Sequence, residues 1–176
     1  LSIIDSKGTG AYIGTITTNP GAVLAIGSGN IISNGGAAIV NGGVLTIDGG
    51  AVIGKITNNG GTITANADYN MALLADVATM QKALNVAIDG QGVKFAQDIE
   101  GNLTVPQSPD TKLTVDGDNK TMKGYIVVDG KSYAYPTTGT TIKNVHFDAS
   151  AISLGASVNL GDGGNTTRYT NNVTVD

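Results

Sequence analysis

Residues 42–54 read "GGVLTIDGGAVIG". Leu45 and Ile47 alternate with Thr46, the period-two signature of a strand with one buried face. Paired glycines stand on either side, at 42–43 and 49–50, and a second short apolar run, Ala51 to Ile53, comes after them. No three- or four-residue periodicity of helix length is present. The stretch therefore reads as strand, turn, strand.

The same unit recurs on both sides. Leu1-Ser-Ile3, Leu24-Ala-Ile26, Leu45-Thr-Ile47 and Thr62-Ile63-Thr64 are short alternating runs, and Leu1, Leu24, Leu45 and Ile63 are spaced by 23, 21 and 18 residues. A second apolar series is Ile13, Ile31 and Ile53, and a third is Ile16, Ile39 and Ile56. Three short strands per repeat, parted by Gly, Asn and Ser, predict one coil of a parallel β-solenoid, in which each strand pairs with its equivalents in adjacent coils. A flexible Gly-rich linker would not carry Ile and Leu in register through four repeats.

Composition bounds the rest. The chain has 176 residues, of which 26 are Gly, only 14% are charged and none is Cys. Disulfides, thiolate metal sites and Cys nucleophiles are thereby excluded. The net charge is −4 and Lys and Arg are not clustered, so no nucleic-acid partner is expected. No apolar run is long enough for a transmembrane helix. The chain opens on Leu1 and stops in mid-repeat on "NNVTVD", so it is expected to be a piece of a longer protein.

Residues 69–91, "YNMALLADVATMQKALNVAIDGQ", change character. Leu73, Val77, Met80, Leu84 and Ile88 recur at helical steps, which predicts a short amphipathic helix near 72–89. Asp76 is the expected N-cap and Gly90 the expected C′ residue. Its apolar stripe is expected to cover the coil formed by residues 92–116. Beyond Gly92 strands return over 92–176. "IKNVHFD" (142–148) matches "TNNVTVD" (170–176) at an offset of 28, and "LTVD" (113–116) matches "VHFD" (145–148) at 32. Asn144 and Asn172 stand where a left-handed bend is expected. "DGKSYAYPTTG" (129–139) reads as an excursion from one coil.

The order "VATMQKALNVAIDGQGVKFAQDIEGNLTV", "LTVDGDNKTMKG", "TTIKNVHFDAS" resembles the start of a pectate-lyase-like right-handed parallel β-helix. The Gly-rich part, 1–68, resembles repeats of large surface proteins of gut bacteria. The resemblance implies an all-β right-handed β-helix with one short capping helix. It also implies an extracellular or cell-surface bacterial location, and either an adhesin or phage part or a polysaccharide lyase or hydrolase. In that family the helix caps the first coil, whereas here 68 solenoid-like residues precede it.

The residues themselves are poor in catalytic parts. His146 is the only His, Arg168 the only Arg and Glu100 the only Glu, and no adjacent acid pair occurs. A polyuronate lyase needs a base beside Ca²⁺-binding acids, and a hydrolase of this fold needs paired carboxylates. The reading is therefore a non-enzymatic structural or adhesin-like module, with no cofactor and no metal expected. The competing class is a fragment of a carbohydrate-active enzyme whose catalytic coils lie outside this chain. Tyr133 and Tyr135, two apart in a long loop, are candidates for stacking on sugar rings. Asp116 and Asp148 end apolar-polar-apolar strands, as Asp48 and Asp176 do, and are candidate ligand-binding groups if these carboxylates stack coil upon coil. The alternative favoured for them is an Asx turn closing each strand. The expected partner is a glycan or a host or cell-surface component.

Overall fold

The computed structural model describes residues 1–106, 111–129 and 139–148, together with the strand backbones of 158–160 and 173–175. Three short strands open the chain: β1 (Ser2–Ile3), β2 (Ala11–Ile13) and β3 (Ile16–Thr18). Next come β4 (Val23–Ile26), β5 (Asn30–Asn41), β6 (Val44–Ile47), β7 (Ala51–Asn58) and β8 (Thr62–Ala65). β9 (Met71–Leu74) leads into α1 (Val77–Val86). The remaining strands are β10 (Gly92–Phe95), β11 (Ile99–Glu100), β12 (Leu103–Pro106), β13 (Lys112–Lys123), β14 (Ile126–Asp129), β15 (Gly139–Phe147), β16 (Val158–Leu160) and β17 (Val173–Val175). Every strand pairing among the described residues is parallel, as a β-solenoid requires.

The expected ladders of the first stack form. Leu24, Leu45 and Ile63 are in register across β4, β6 and β8, and Ile16, Ile39 and Ile56 across β3, β5 and β7. The middle series needs a correction by one residue: Ile13 aligns with Ile32 and Ile53, while Ile31 aligns with Tyr12 and Val52. Leu24, Ile26, Leu45 and Ile47 are fully buried and Thr46 faces outward, half-buried.

The reason for the slip is that this wall is buried on both faces. Successive residues of a strand point to opposite sides. Ile31 and Val52 enter the core of the first stack, beside Leu24 and Leu45. Ile32, Ala51 and Ile53 enter a second core, with Leu74, Met80, Leu84, Phe95 and Leu103. Such strands read as unbroken apolar runs instead of alternating ones. The "AVI" of residues 51–53 is one of them.

α1 is shorter than expected. Asp76 caps it, its carboxylate accepting from the Thr79 N–H at 2.8 Å. Residues 71–74 instead form β9, which pairs with β10. Gly90 is not at C′; its φ of +79° serves a tight turn closed by the Gln91 N–H on the Ile88 carbonyl at 3.1 Å. Consequently Ile88 is 45% exposed, and the buried stripe is Met80, Ala83 and Leu84. α1 packs against β12, β10 and β9 and also against β5 and β7. Its stripe joins the core that holds Ile32, Ile53, Phe95 and Leu103, while Ala78, Lys82 and Asn85 on the face away from it are exposed. The helix thus touches both the shared wall of the two cores and the first coil of the second stack.

In the second stack Val93, Val115 and Ile142 form the core ladder, flanked by Phe95 and Leu113. Val145 and Phe147 lie at its margin, partly buried, and His146 and Thr114 point outward. The structural offsets differ from the sequence matches. Val115 pairs with Ile142, an offset of 27, not 32, and Ile142 pairs with Val175, an offset of 33, not 28. β13 and β15 each span two faces of a coil, and the similarity of "LTVD" to "VHFD" equates the first half of one with the second half of the other. The side chains of Val173 and Thr174 lie outside the described residues, as does Asn172.

Candidate functional site

The core ladder Val93–Val115–Ile142 sets what stands outside it. The next residue in each strand is Lys94, Asp116 and Lys143, and these three are register partners on the outer face of β10, β13 and β15. Opposite charges thus face each other across neighbouring strands, about 4.8 Å apart in the pairing direction. Lys143 Nζ lies 3.4 Å from the Asp116 carboxylate. The same carboxylate accepts from Asn144 Nδ2 at 3.0 Å and from the Asp118 N–H at 3.0 Å.

Just beyond Asp116 the chain bulges. Residues 117–119 lie between Asp116, opposite Lys143, and Lys120, opposite Val145, whereas β15 spends only Asn144 on the same corner. Asp118, Asn119 and Asn144 adopt left-handed φ of 50°, 60° and 54°. Asn and Asp tolerate this region because their short side chains bond locally. The left-handed bend expected at Asn144 is present. The bulge turns Asp118 back over β10, where it takes Lys94 at 2.9 Å and Lys120 at 3.5 Å. The result is a strip of three ammonium groups and two carboxylates, one net positive charge on a chain of −4.

This geometry sets the ionisation of the strip. The hydrogen bond from Lys94, with the charges of Lys94 and Lys120, holds the Asp118 carboxyl below the usual carboxylate range despite some desolvation. Partial burial works against ionisation of Asp116, but Asn144, the Asp118 N–H and Lys143 outweigh it and its pKa is lowered. Lys94 is raised, chiefly by its bond to Asp118. Asp116, Asp118 and Lys94 are therefore ionised near neutrality, and none of them is poised to exchange a proton there.

Asp148 belongs elsewhere. It stands next to Phe147, the partner of Met122, and lines a shallow groove of about 310 Å³ with Asp98, Ile99, Glu100, Thr121 and Lys123. There the Thr121 N–H donates to Asp98 at 2.7 Å and Lys123 faces Glu100 at 3.4 Å. Asp116 and Asp148 are therefore not stacked, because Asp116 is flanked coil to coil by lysines. Asp48 lies exposed after β6 in the first stack. A carboxylate ladder does not form among the described residues, and no group of three or more His, Cys, Asp or Glu is placed to hold a metal ion there. Tyr133, Tyr135, Arg168 and Asp176 lie outside the described residues.

Sequence reasoning singled out Asp116 but missed Lys94, Lys120 and Lys143. The signal was present: "VKF", "VDG" and "IKN" each place a charged residue directly after a core Val or Ile. It becomes visible only when Val93, Val115 and Ile142 are aligned. The chain matches no protein-family model, no curated protein and no solved structure.

Proposed function

We propose that this chain is a stiff, non-enzymatic module of an extracellular or surface-attached bacterial protein, of the pectate-lyase-like right-handed β-helix type. In this reading the outer face of β10, β13 and β15 meets a glycan or another cell-surface component. The observation that carries the reading is the Lys94–Asp116–Lys143 strip. Its charged groups are register partners on one outer sheet face, and the carboxylates of Asp116 and of the neighbouring Asp118 are occupied by lysines, Asn144 or backbone N–H groups. An open row of charged groups along neighbouring coils suits an extended ligand better than a small substrate that must be enclosed. The two cores and their shared wall give the rigidity that a stalk or adhesive surface needs.

The second reading, a piece of a carbohydrate-active enzyme, draws on the groove that Asp98, Glu100 and Asp148 line. One experiment separates the two. The chain is titrated against a panel of neutral and acidic polysaccharides, beside a Lys94→Gln/Lys143→Gln variant, while ultraviolet absorbance and reducing ends are monitored. The module reading expects saturable binding to at least one polymer, at least tenfold weaker in the variant, with no new chain ends. Absence of binding to every polymer removes the glycan partner, and release of products replaces the module reading by the enzyme.

A further inference from the structure

Three Asn–Gly bonds in the first stack are Asn34–Gly35, Asn41–Gly42 and Asn59–Gly60. The carboxamide of an Asn before Gly is chemically vulnerable because a following residue without a Cβ leaves its amide nitrogen open to attack it. The fold treats the three very differently. We propose that Asn34 and Asn59 are sites of spontaneous deamidation through a cyclic imide, and that the fold protects Asn41 from it.

Asn41 is fully buried. Its Oδ1 accepts from Thr18 Oγ1 at 2.8 Å and from the Gly43 N–H at 3.3 Å. Its Nδ2 donates to Asn58 Oδ1 at 3.0 Å, to the Thr62 carbonyl at 3.1 Å and to the Gly43 carbonyl at 3.3 Å. The attacking atom is tied as well, since the Gly42 N–H donates to the Thr18 carbonyl at 2.9 Å. Ring closure would require the Asn41 Cγ to swing onto the Gly42 nitrogen, breaking this whole set inside a closed site.

Asn34 and Asn59 are exposed. Residues 33–36 lie between Ile32, opposite Ile53, and Ala37, opposite Lys55, and have no register partner on β7. Gly35 and Gly60 have φ of +93° and +83°, and nothing lies within 4 Å of where a Cβ would stand on either. Both are exposed corners. Ser33 Oγ donates to the Gly36 carbonyl at 2.6 Å and the Asn59 N–H donates to the Asn41 carbonyl at 2.7 Å. Neither carboxamide is enclosed as that of Asn41 is, so less has to break for nitrogen and Cγ to meet, and water can reach the product.

The chemistry balances without a co-reactant other than water. The Gly35 amide nitrogen forms a bond to Asn34 Cγ, the Cγ–Nδ2 bond breaks, and ammonia leaves. Water then opens the ring at either carbonyl, giving aspartate or isoaspartate. The net change is Asn plus water to Asp plus ammonia. Complete reaction at both sites takes the net charge from −4 to −6, one unit for each site. Isoaspartate also lengthens the main chain by one methylene. At Asn34 that insertion falls outside the ladder, so the register of β5 survives.

The test is incubation of the folded chain at mildly alkaline pH, with peptide mapping by mass spectrometry over time. A parallel sample is held unfolded in urea. The expected result is the deamidation mass gain at Asn34 and Asn59 with Asn41 unchanged, whereas in urea all three react. Gly35→Ala should slow reaction at Asn34 several-fold and leave Asn59 unaffected. The aged, folded chain should keep its unfolding midpoint. Reaction at Asn41 as fast as at the other two, or no reaction at Asn34 and Asn59 while the urea sample reacts, overturns the proposal.

Discussion

Gln81 and Thr104 exchange two hydrogen bonds of the kind a neighbouring strand would make. The Thr104 N–H donates to Gln81 Oε1 at 2.8 Å, and Gln81 Nε2 donates to the Thr104 carbonyl at 2.8 Å. β12 begins its sheet, paired among the described strands with β14 alone, so its other edge would otherwise be open. The same device recurs where the two stacks meet. Asn30 accepts from the Leu73 N–H at 3.1 Å and donates to its carbonyl at 2.9 Å. Gln91 accepts from the Gly54 N–H at 2.8 Å and donates to the Gly54 carbonyl at 3.2 Å. A carboxamide has the donor and acceptor of a peptide group, which is why Asn and Gln, and not Asp or Glu, hold these positions.

The three sites differ in burial, which sets the first prediction. Gln91 is buried, and it also donates to the Val52 carbonyl at 3.0 Å and accepts from the Ile88 N–H at 3.0 Å. Gln91→Leu strands buried backbone groups of Gly54 and Val52 and should cost about 2–4 kcal/mol. The Gln81 bonds lie at the solvent-facing margin, and Gln81→Leu should cost about 1 kcal/mol or less, since water replaces them. Urea unfolding of both variants measures the difference. Equal costs would mean that the Gln91 bonds do not join the stacks.

A second prediction concerns the helix. Met80 is fully buried in the core it shares with Ile32, Ile53, Leu84, Phe95 and Leu103. Met80→Asp places a carboxylate there without a partner and should cost several kcal/mol. It should also lower solubility, because it loosens the element that carries Gln81 over the β12 edge. Thermal unfolding with light scattering reads both effects. A midpoint and solubility equal to the parent's would show that the stripe is not packed.

Glycine positions give a third. A Cβ on Gly43 would overlap the Ala22 carbonyl oxygen of the neighbouring coil, and this is backbone that no side-chain motion can clear. Gly43→Ala should cost about 2 kcal/mol or more. Gly36 has nothing within 4 Å of its would-be Cβ and is not at positive φ. Gly36→Ala should be neutral or stabilise by a few tenths of a kcal/mol to about 1 kcal/mol, through the unfolded chain. Calorimetric midpoints of the two variants should therefore move in opposite directions or differ widely.

These contrasts also mark what the sequence could show. Leu24, Leu45 and Ile63 were legible as a ladder because their coils differ little in length and one face of each strand is exposed. Asp76 was legible as a cap because capping is local. The shared wall was not, because Ile31 and Ile32 are adjacent and period-two reasoning must assign one of them outward. Nor was the charged strip: Val115 and Ile142 are 27 residues apart, and the bulge at 117–119 has a one-residue counterpart in the next coil. Register in that part is set by which strand halves share a face, and short sequence matches do not carry that information. Asn30 and Gln91 gave no signal at all, since their partners are backbone groups 43 and 37 residues away.

The last prediction is the acid response of the strip. Asp118 has its folded pKa depressed, chiefly by Lys94. A group of this kind contributes stability above its unfolded pKa, and that contribution is lost as pH falls through the folded value. The strip should therefore stabilise the fold fully at pH 7 and progressively less below about pH 4. Lys94 has the opposite sign: its raised folded pKa contributes stability that is present below the unfolded value and lost as pH rises through the folded one, well into the alkaline range. Both side chains are well exposed, at 38% and 41%, so the pair is screened and the effect is small at high salt. Asp118→Asn removes the charge and keeps the shape. Urea midpoints of parent and variant at low salt should differ at pH 7 and converge as the pH is lowered through about 4 to about 3. Asn144→Ala, which removes a donor from Asp116, should shift the acid limb of the parent curve to higher pH. A parent–variant difference for Asp118→Asn that stays constant across this range would show that the Lys94–Asp118 pair contributes nothing through its charge.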